Sequence, residues 1–168
     1  DIALVGHAPD SRDGRDARFT SLGVISYGES RNSEPFSEAV RLVAGVFDQT
    51  GIAYDVPADM VHTLWWKFLV NVGVNQVSAV LKAPYATFQR PGSPAREVML
   101  AAQREVIAVA NAAGVGLGEA DLRRWLEVLG RLGPANYTSM AQDAMAGRRT
   151  EVDIFAGEVI QRGAALGV

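Results

Sequence analysis

Val61–Leu81 reads VHTLWWKFLVNVGVNQVSAVL. Its apolar residues recur at three- and four-residue intervals, and the pattern predicts one long helix over residues 58–82. About 20 apolar residues are enough to span a bilayer. Here Lys67, Asn71, Asn75 and Gln76 interrupt the run, and a lysine near the middle of a membrane helix costs roughly 3 kcal/mol. A helix buried inside a protein is therefore expected, not a membrane span. On a wheel at about 100° per residue, a four-residue step drifts by only about 40°. Lys67, Asn71, Asn75 and Ser78 thus share a narrow polar stripe, while Trp65, Trp66, Phe68, Leu69, Val72, Val77 and Val80 fill much of the remaining surface. So wide an apolar arc predicts burial on most sides. A lysine on the stripe would be partly desolvated, which lowers its pKa and suits it to proton transfer. The two asparagines offer donors and acceptors to a polar ligand. The same stripe also describes the wet side of a core helix, where Lys and Asn usually lie.

More helices follow. Residues 94–113, ended by Gly114, form one; residues 119–132 form another, with Leu122, Trp125, Leu126 and Leu129 on one face. A short helix is expected over 139–146 and a last one over 151–166, closed by Gly167. Upstream of Pro57 the pattern differs. Ile2–Gly6 and Leu22–Tyr27 are strand-like, and APDSRDGRDARF between them reads as a polar loop. A helix carrying Ala39, Leu42, Val43, Val46 and Phe47 ends at Gly51, and Ile52–Val56 is extended. The expected architecture is mostly α: a helical domain over 58–168, preceded over 1–57 by a strand-helix-strand remnant of an α/β unit.

Composition bounds the chemistry. The chain has 168 residues, 48% hydrophobic and 21% charged, with a net charge of −3 and no cysteine. That mix is globular and not disordered. The missing cysteines exclude disulfides, thiolate catalysis and cysteine-based metal sites. His7 and His62 are far apart, so no multi-histidine metal site is expected, and His62 is read as structural. Mild acidity gives no electrostatic reason for a nucleic-acid or anionic-membrane partner.

A second motif runs from Asn136 to Asp153, N-Y-T-S-M-A-Q-D-A-M-A-G-R-R-T-E-V-D. Ser139 with Gln142, and Thr150 with Asp153, fit helix capping boxes. Glu151 falls in a first turn, where the helix dipole favours a carboxylate, and Gly147 ends the short helix. Local capping could account for all of these polar residues.

Lys67-x3-Asn71-x3-Asn75 together with S-M-x-x-D-x4-R-R-T-E-x-D from Ser139 to Asp153, after the strand G-V-I-S-Y-G-E, resembles the ketopantoate reductase family over nearly the whole chain. The resemblance implies that residues 1–57 are the end of a Rossmann-type NADP-binding domain. It implies that residues 58–168 are most of a helical C-terminal domain similar to the 6-phosphogluconate dehydrogenase C-terminal class. It further implies a cytoplasmic oxidoreductase that uses NADPH to reduce 2-dehydropantoate, a small 2-oxo acid, to (R)-pantoate on the route to pantothenate and coenzyme A. Lys67 would then be the general acid, Asn71 and Asn75 would hydrogen-bond the substrate, and Ser139 would bind its carboxylate. Glu151 would hold the substrate's hydroxyl end in register. Asn136 and Asp143 match motif positions, with Asn136 the candidate cofactor contact. A homodimer is left open.

The sequence also departs from the family's pattern. The G-x-G-x-x-G loop that seats a pyrophosphate is absent. The strand-like start and the end at Val168 suggest part of a larger protein, so the chain alone is expected to bind NADPH poorly and to be inactive. The residues after Asn75 read QVSAVLKAPY, where pantothenate-pathway members of the family often carry further Asn or Pro. Two alternatives stand beside this expectation: a reductase of another 2-oxo acid, and a non-catalytic helical module for dimerisation or ligand binding.

Overall fold

The structure, a computed structural model, describes residues 11–13, 16–18 and 23–168. It divides into two compact units, residues 1–64 and 65–168. The strand expected over Ile2–Gly6 and His7 lie outside the described residues.

In the first unit, β1 (Ser11–Asp13) and β2 (Asp16–Arg18) pair antiparallel, with Ser11 opposite Arg18. This corrects the expected polar loop. The Asp13-Gly14 dipeptide is a hairpin signal, but its flanks lack the apolar alternation that marks strands. β3 (Ile25–Ser26) and β4 (Tyr54–Asp55) pair in parallel, with Ile25 opposite Tyr54. α1 (Glu38–Thr50) makes the crossover that a parallel pair requires. Ser37 caps its first turn and Gly51, at φ 68°, ends it in the left-handed conformation glycine adopts without strain. Tyr27 is fully buried, donates its hydroxyl to Val40 O at 3.0 Å, and packs edge-on against Phe47.

The second unit is wholly helical among its described elements. It begins within α2 (Met60–Val70), which continues through a π-helical turn (Asn71–Asn75) into α3 (Gln76–Leu81). Then come α4 (Tyr85–Gln89), α5 (Pro94–Ala112), α6 (Glu119–Arg131) and α7 (Ser139–Met145). A second π-helical turn (Asp153–Gly157) leads into α8 (Glu158–Leu166). The core gathers Leu69, Val72, Val74, Met99, Val106, Leu122, Trp125, Leu129 and Phe155. α5 lies at its centre, packed on the first π turn and on α8, while α7 packs on α3. Ser93 accepts from Arg96 N–H and Pro94 occupies the first turn, so α5 starts where its sequence dictates.

α4 is an element the sequence reading lacked. Five residues are too few to show a helical period. Its Gln89 donates to Leu129 O at 2.9 Å and Leu132 O at 2.8 Å, satisfying carbonyls that the end of α6 leaves without an intrahelical partner. No helix among the described residues is long and apolar enough to cross a membrane.

Candidate active site

Asp59 starts the helix that carries the polar stripe. Its Oδ1 accepts from His62 N–H at 2.9 Å, the geometry of an N-terminal cap. Further along α2, large rings flank Lys67. Trp65 meets Phe68 edge-on at 5.8 Å. Trp66 donates its indole N–H to Asp121 O at 3.2 Å and lies under the Arg124 guanidinium, 4.3 Å away. Lys67 is half-buried. It has no hydrogen-bond or ion-pair partner among the described residues, and burial holds its pKa below 10.5, the ordinary lysine value.

The stripe continues into the first π turn. Asn71 opens this turn and Asn75 closes it. Bonding from residue i to i+5 puts more residues in each turn than an α-helix has. The four-residue step from Asn71 to Asn75 therefore comes closer to one full turn than the α-helical wheel implies. Asn75 is 9% exposed, and neither asparagine side chain has a hydrogen-bond partner among the described residues. Between them, Gly73 lets Gln103 of α5 pack against the backbone: a Cβ there would lie 2.5 Å from Gln103 Cγ. Gln103 is fully buried, and both of its amide atoms lack partners. Ser78, the last member of the stripe, is not available to a ligand. It is buried and donates to Ala83 O at 2.7 Å, closing the end of α3.

The C-terminal motif is built differently from its expected caps. Thr138, not Ser139, caps α7, accepting from Ala141 N–H at 3.1 Å. Gln142 accordingly reaches Tyr137 O at 3.2 Å instead of closing a box with Ser139. Ser139 is the first helical residue and is exposed, so its hydroxyl is not used up by capping. The Thr150–Asp153 box also fails to form. The Asp153 carboxylate pairs with Arg149 at 3.0 Å, and no side chain caps the second π turn. The Glu151 carbonyl accepts from Ile154 and Phe155 N–H at 3.1 and 3.2 Å, while its carboxylate is exposed. Asp143 is engaged with Arg148 at 2.7 Å. Asn136 lies in the turn before α7, where its carbonyl accepts from Tyr85 N–H at 2.9 Å.

These segments converge on one helix. α7, which begins at Ser139, packs on α3 and on the first π turn; the second π turn, just after Glu151, packs on the first. No hydrogen bond joins the side chains of Lys67, Asn71, Asn75, Ser139 and Glu151 to one another among the described residues, so each keeps its bonding capacity for a ligand. Sequence reasoning missed Gln76, whose side chain spans the two π turns, and the buried Gln103. Neither signal is local, because each depends on a partner distant in sequence. Among the described residues no cluster of His, Asp or Glu could hold a metal ion.

Comparison with known proteins shows what the chain is similar to. Residues 59–168 match the family described as "Ketopantoate reductase PanE/ApbA C terminal". A 2-dehydropantoate 2-reductase of Halobacterium salinarum is 32% identical over 166 residues, 96% of this chain and 53% of that protein. The fold matches a dimeric ketopantoate reductase from Staphylococcus aureus at TM-score 0.76 and 17% identity, covering all of this chain and 55% of that one. It matches D-mandelate dehydrogenase, solved with NADH and anilino(oxo)acetate, at TM-score 0.80 and 18% identity, covering 98% of this chain and 66% of that one. The chain spans about half the length of the curated relatives it matches.

Proposed function

The chain belongs to the ketopantoate reductase family, and from that premise we propose that it forms the substrate-binding and proton-donating part of an NADPH-dependent 2-dehydropantoate 2-reductase. The observation that carries this reading is Lys67, half-buried and without a carboxylate partner, in line with two unpartnered asparagines across a π turn. π turns inside helices recur at functional sites.

Reduction of a 2-oxo acid adds hydride to the ketone carbon and a proton to its oxygen. When bound, the reduced nicotinamide supplies the hydride. The G-x-G-x-x-G loop that seats a pyrophosphate is absent from residues 1–168, and most of the residues assigned here act on the substrate. We read residues 1–57 as the end of the Rossmann-type domain and 58–168 as the helical domain. Lys67 donates its proton to the oxygen as negative charge develops there, and desolvation makes the ammonium a stronger acid. Asn71 and Asn75 donate to the substrate's oxygens and fix the ketone beside the Lys67 Nζ. The Ser139 hydroxyl binds the carboxylate, and Glu151 accepts from the substrate hydroxyl at the far end. Asn136 is assigned to the cofactor side. The reading places the protein in the cytoplasm, with a homodimer as the expected assembly, as in the dimeric S. aureus relative.

Two observations favour a second reading, reduction of a different 2-oxo acid. The structure of D-mandelate dehydrogenase with anilino(oxo)acetate shares this fold, and the stretch after Asn75 lacks the further Asn or Pro often carried by pantothenate-pathway members. A panel of 2-oxo acids on the intact protein that contains this chain decides the matter. Highest kcat/KM for ketopantoate with NADPH is expected. Preference for an aryl 2-oxo acid would favour the second reading, and no turnover of any 2-oxo acid would overturn both.

A further inference from the structure

Gln76 joins two segments 80 residues apart. At the exit of the first π turn its backbone N–H goes to Gly73 O. Its side-chain Nε2 donates to Val72 O at 2.8 Å, inside the turn that carries Asn71 and Asn75. Its Oε1 accepts from Ala156 N–H at 3.0 Å, inside the second π turn. That turn is fixed to Glu151, whose carbonyl accepts from Ile154 and Phe155 N–H. One amide therefore connects the backbone around the two asparagines to the backbone that presents Glu151. Phe155 packs on Phe68, the neighbour of Lys67, with ring centroids 6.5 Å apart.

We propose that Gln76 is a positioning residue that bridges the Asn71–Asn75 turn and the Glu151 turn, and so sets where the Glu151 carboxylate stands relative to substrate. The proposal rests on the reductase reading for its substrate readout. The geometry has a physical logic. A π turn disturbs the regular i→i−4 ladder, and polar groups displaced from it need partners. A glutamine supplies one donor and one acceptor together, so it can serve both disturbed ladders, which neither Glu nor Met can do.

The test uses the intact protein with Q76M and Q76E, each alone and combined with Glu151→Ala. Q76M keeps the side chain's length and loses both bonds; Q76E keeps an acceptor for Ala156 N–H. Hydrogen exchange at the Ala156 amide is expected to speed up about tenfold in Q76M and much less in Q76E. KM for the 2-oxo acid is expected to rise about fivefold to tenfold in Q76M with kcat changed less, to be partly restored in Q76E, and not to change further when Gln76→Met is added to Glu151→Ala. Unchanged exchange at Ala156 would overturn the bridge. An equal KM effect in the parent and the Glu151→Ala background would overturn the positioning role and leave a purely structural one. Should Q76M fail to fold, Q76E decides: slowed or parental Ala156 exchange with raised KM in the Glu151→Ala background as well would overturn the proposal. A parent protein without turnover would sink the reductase reading and with it the positioning role, while the exchange measurement would still decide whether the bridge exists.

Discussion

Replacing Gly73 by alanine tests how tightly the first π turn is packed. Alanine in place of glycine within a helix ordinarily gains about 1 kcal/mol. At Gly73 the new Cβ would stand 2.5 Å from Gln103 Cγ and 2.7 Å from both Cδ and Nε2. These atoms have no space to retreat into, because Gln103 is fully buried. Overpacking of this kind costs roughly 1–3 kcal/mol. The net expectation is a loss of about 1 kcal/mol, or roughly 2–4 °C in Tm for a chain of this size. All three tryptophans, Trp65, Trp66 and Trp125, lie in the 65–168 unit. Tryptophan fluorescence during thermal or urea unfolding therefore reports on the right part of the molecule. Gly45 in α1 is the control: a Cβ there meets nothing within 4 Å, so Gly45→Ala should stabilise α1 by about 1 kcal/mol, read by far-UV circular dichroism. In a Gln103→Ala background the obstructing atoms are gone, and Gly73→Ala should become favourable. The expected coupling between the two substitutions is about 2 kcal/mol. A stabilising Gly73→Ala together with strict additivity would refute the close packing of Gln103 on this turn.

Two further outcomes follow from the same site. The Lys67 pKa lies below 10.5 in the folded protein, so across the window between its lowered value and 10.5 the unfolded chain binds more protons, and stability rises with pH there. Lys67→Met removes that dependence; it should exceed the parent in stability at neutral pH, with the gap closing as pH approaches 10.5, and a gap constant with pH in urea melts would contradict the desolvation of Lys67. Thr138→Ala removes the cap of α7 and should cost about 1 kcal/mol, whereas Ser139→Ala should change stability by less than about 0.5 kcal/mol and instead raise KM for the 2-oxo acid; the reverse ranking in melts would return the cap to Ser139.

The helices whose apolar residues repeat over three or more turns were legible in the sequence. α1, α5 and α6 lie within a few residues of their expected spans, because burial of one face imposes that repeat. The helix bearing Lys67 was legible as a helix but not as an interrupted one. Nothing in N-V-G-V-N distinguishes bonding to i+5 from bonding to i+4, and the close packing of Gln103 on Gly73 is a contact with a distant element that the local sequence does not show. α4 was too short to show a period, and β1 and β2 have no apolar face to alternate. The caps misled in a specific way. Thr138 and Ser139 are adjacent hydroxyls; only Ser139 has a glutamine three residues on, yet Thr138 takes the cap, and Asp153 was claimed by Arg149 instead of by Thr150. That Lys67, Asn71 and Asn75 fall along one stripe was readable from spacing, since they lie on one continuous helical segment; spacing alone described a binding stripe and the wet side of a core helix equally well. The role of Gln76 was not, because its second partner is Ala156.

The role proposed for Lys67, supplying the proton to a 2-oxo acid, stands or falls on kcat of Lys67→Ala with ketopantoate. The measurement uses the intact protein with saturating NADPH, and folding of the variant is checked by tryptophan fluorescence. A positioned general acid contributes about 10²–10⁴-fold, so a fall of that size with folding retained is expected. A folded Lys67→Ala variant with undiminished kcat would contradict the assignment.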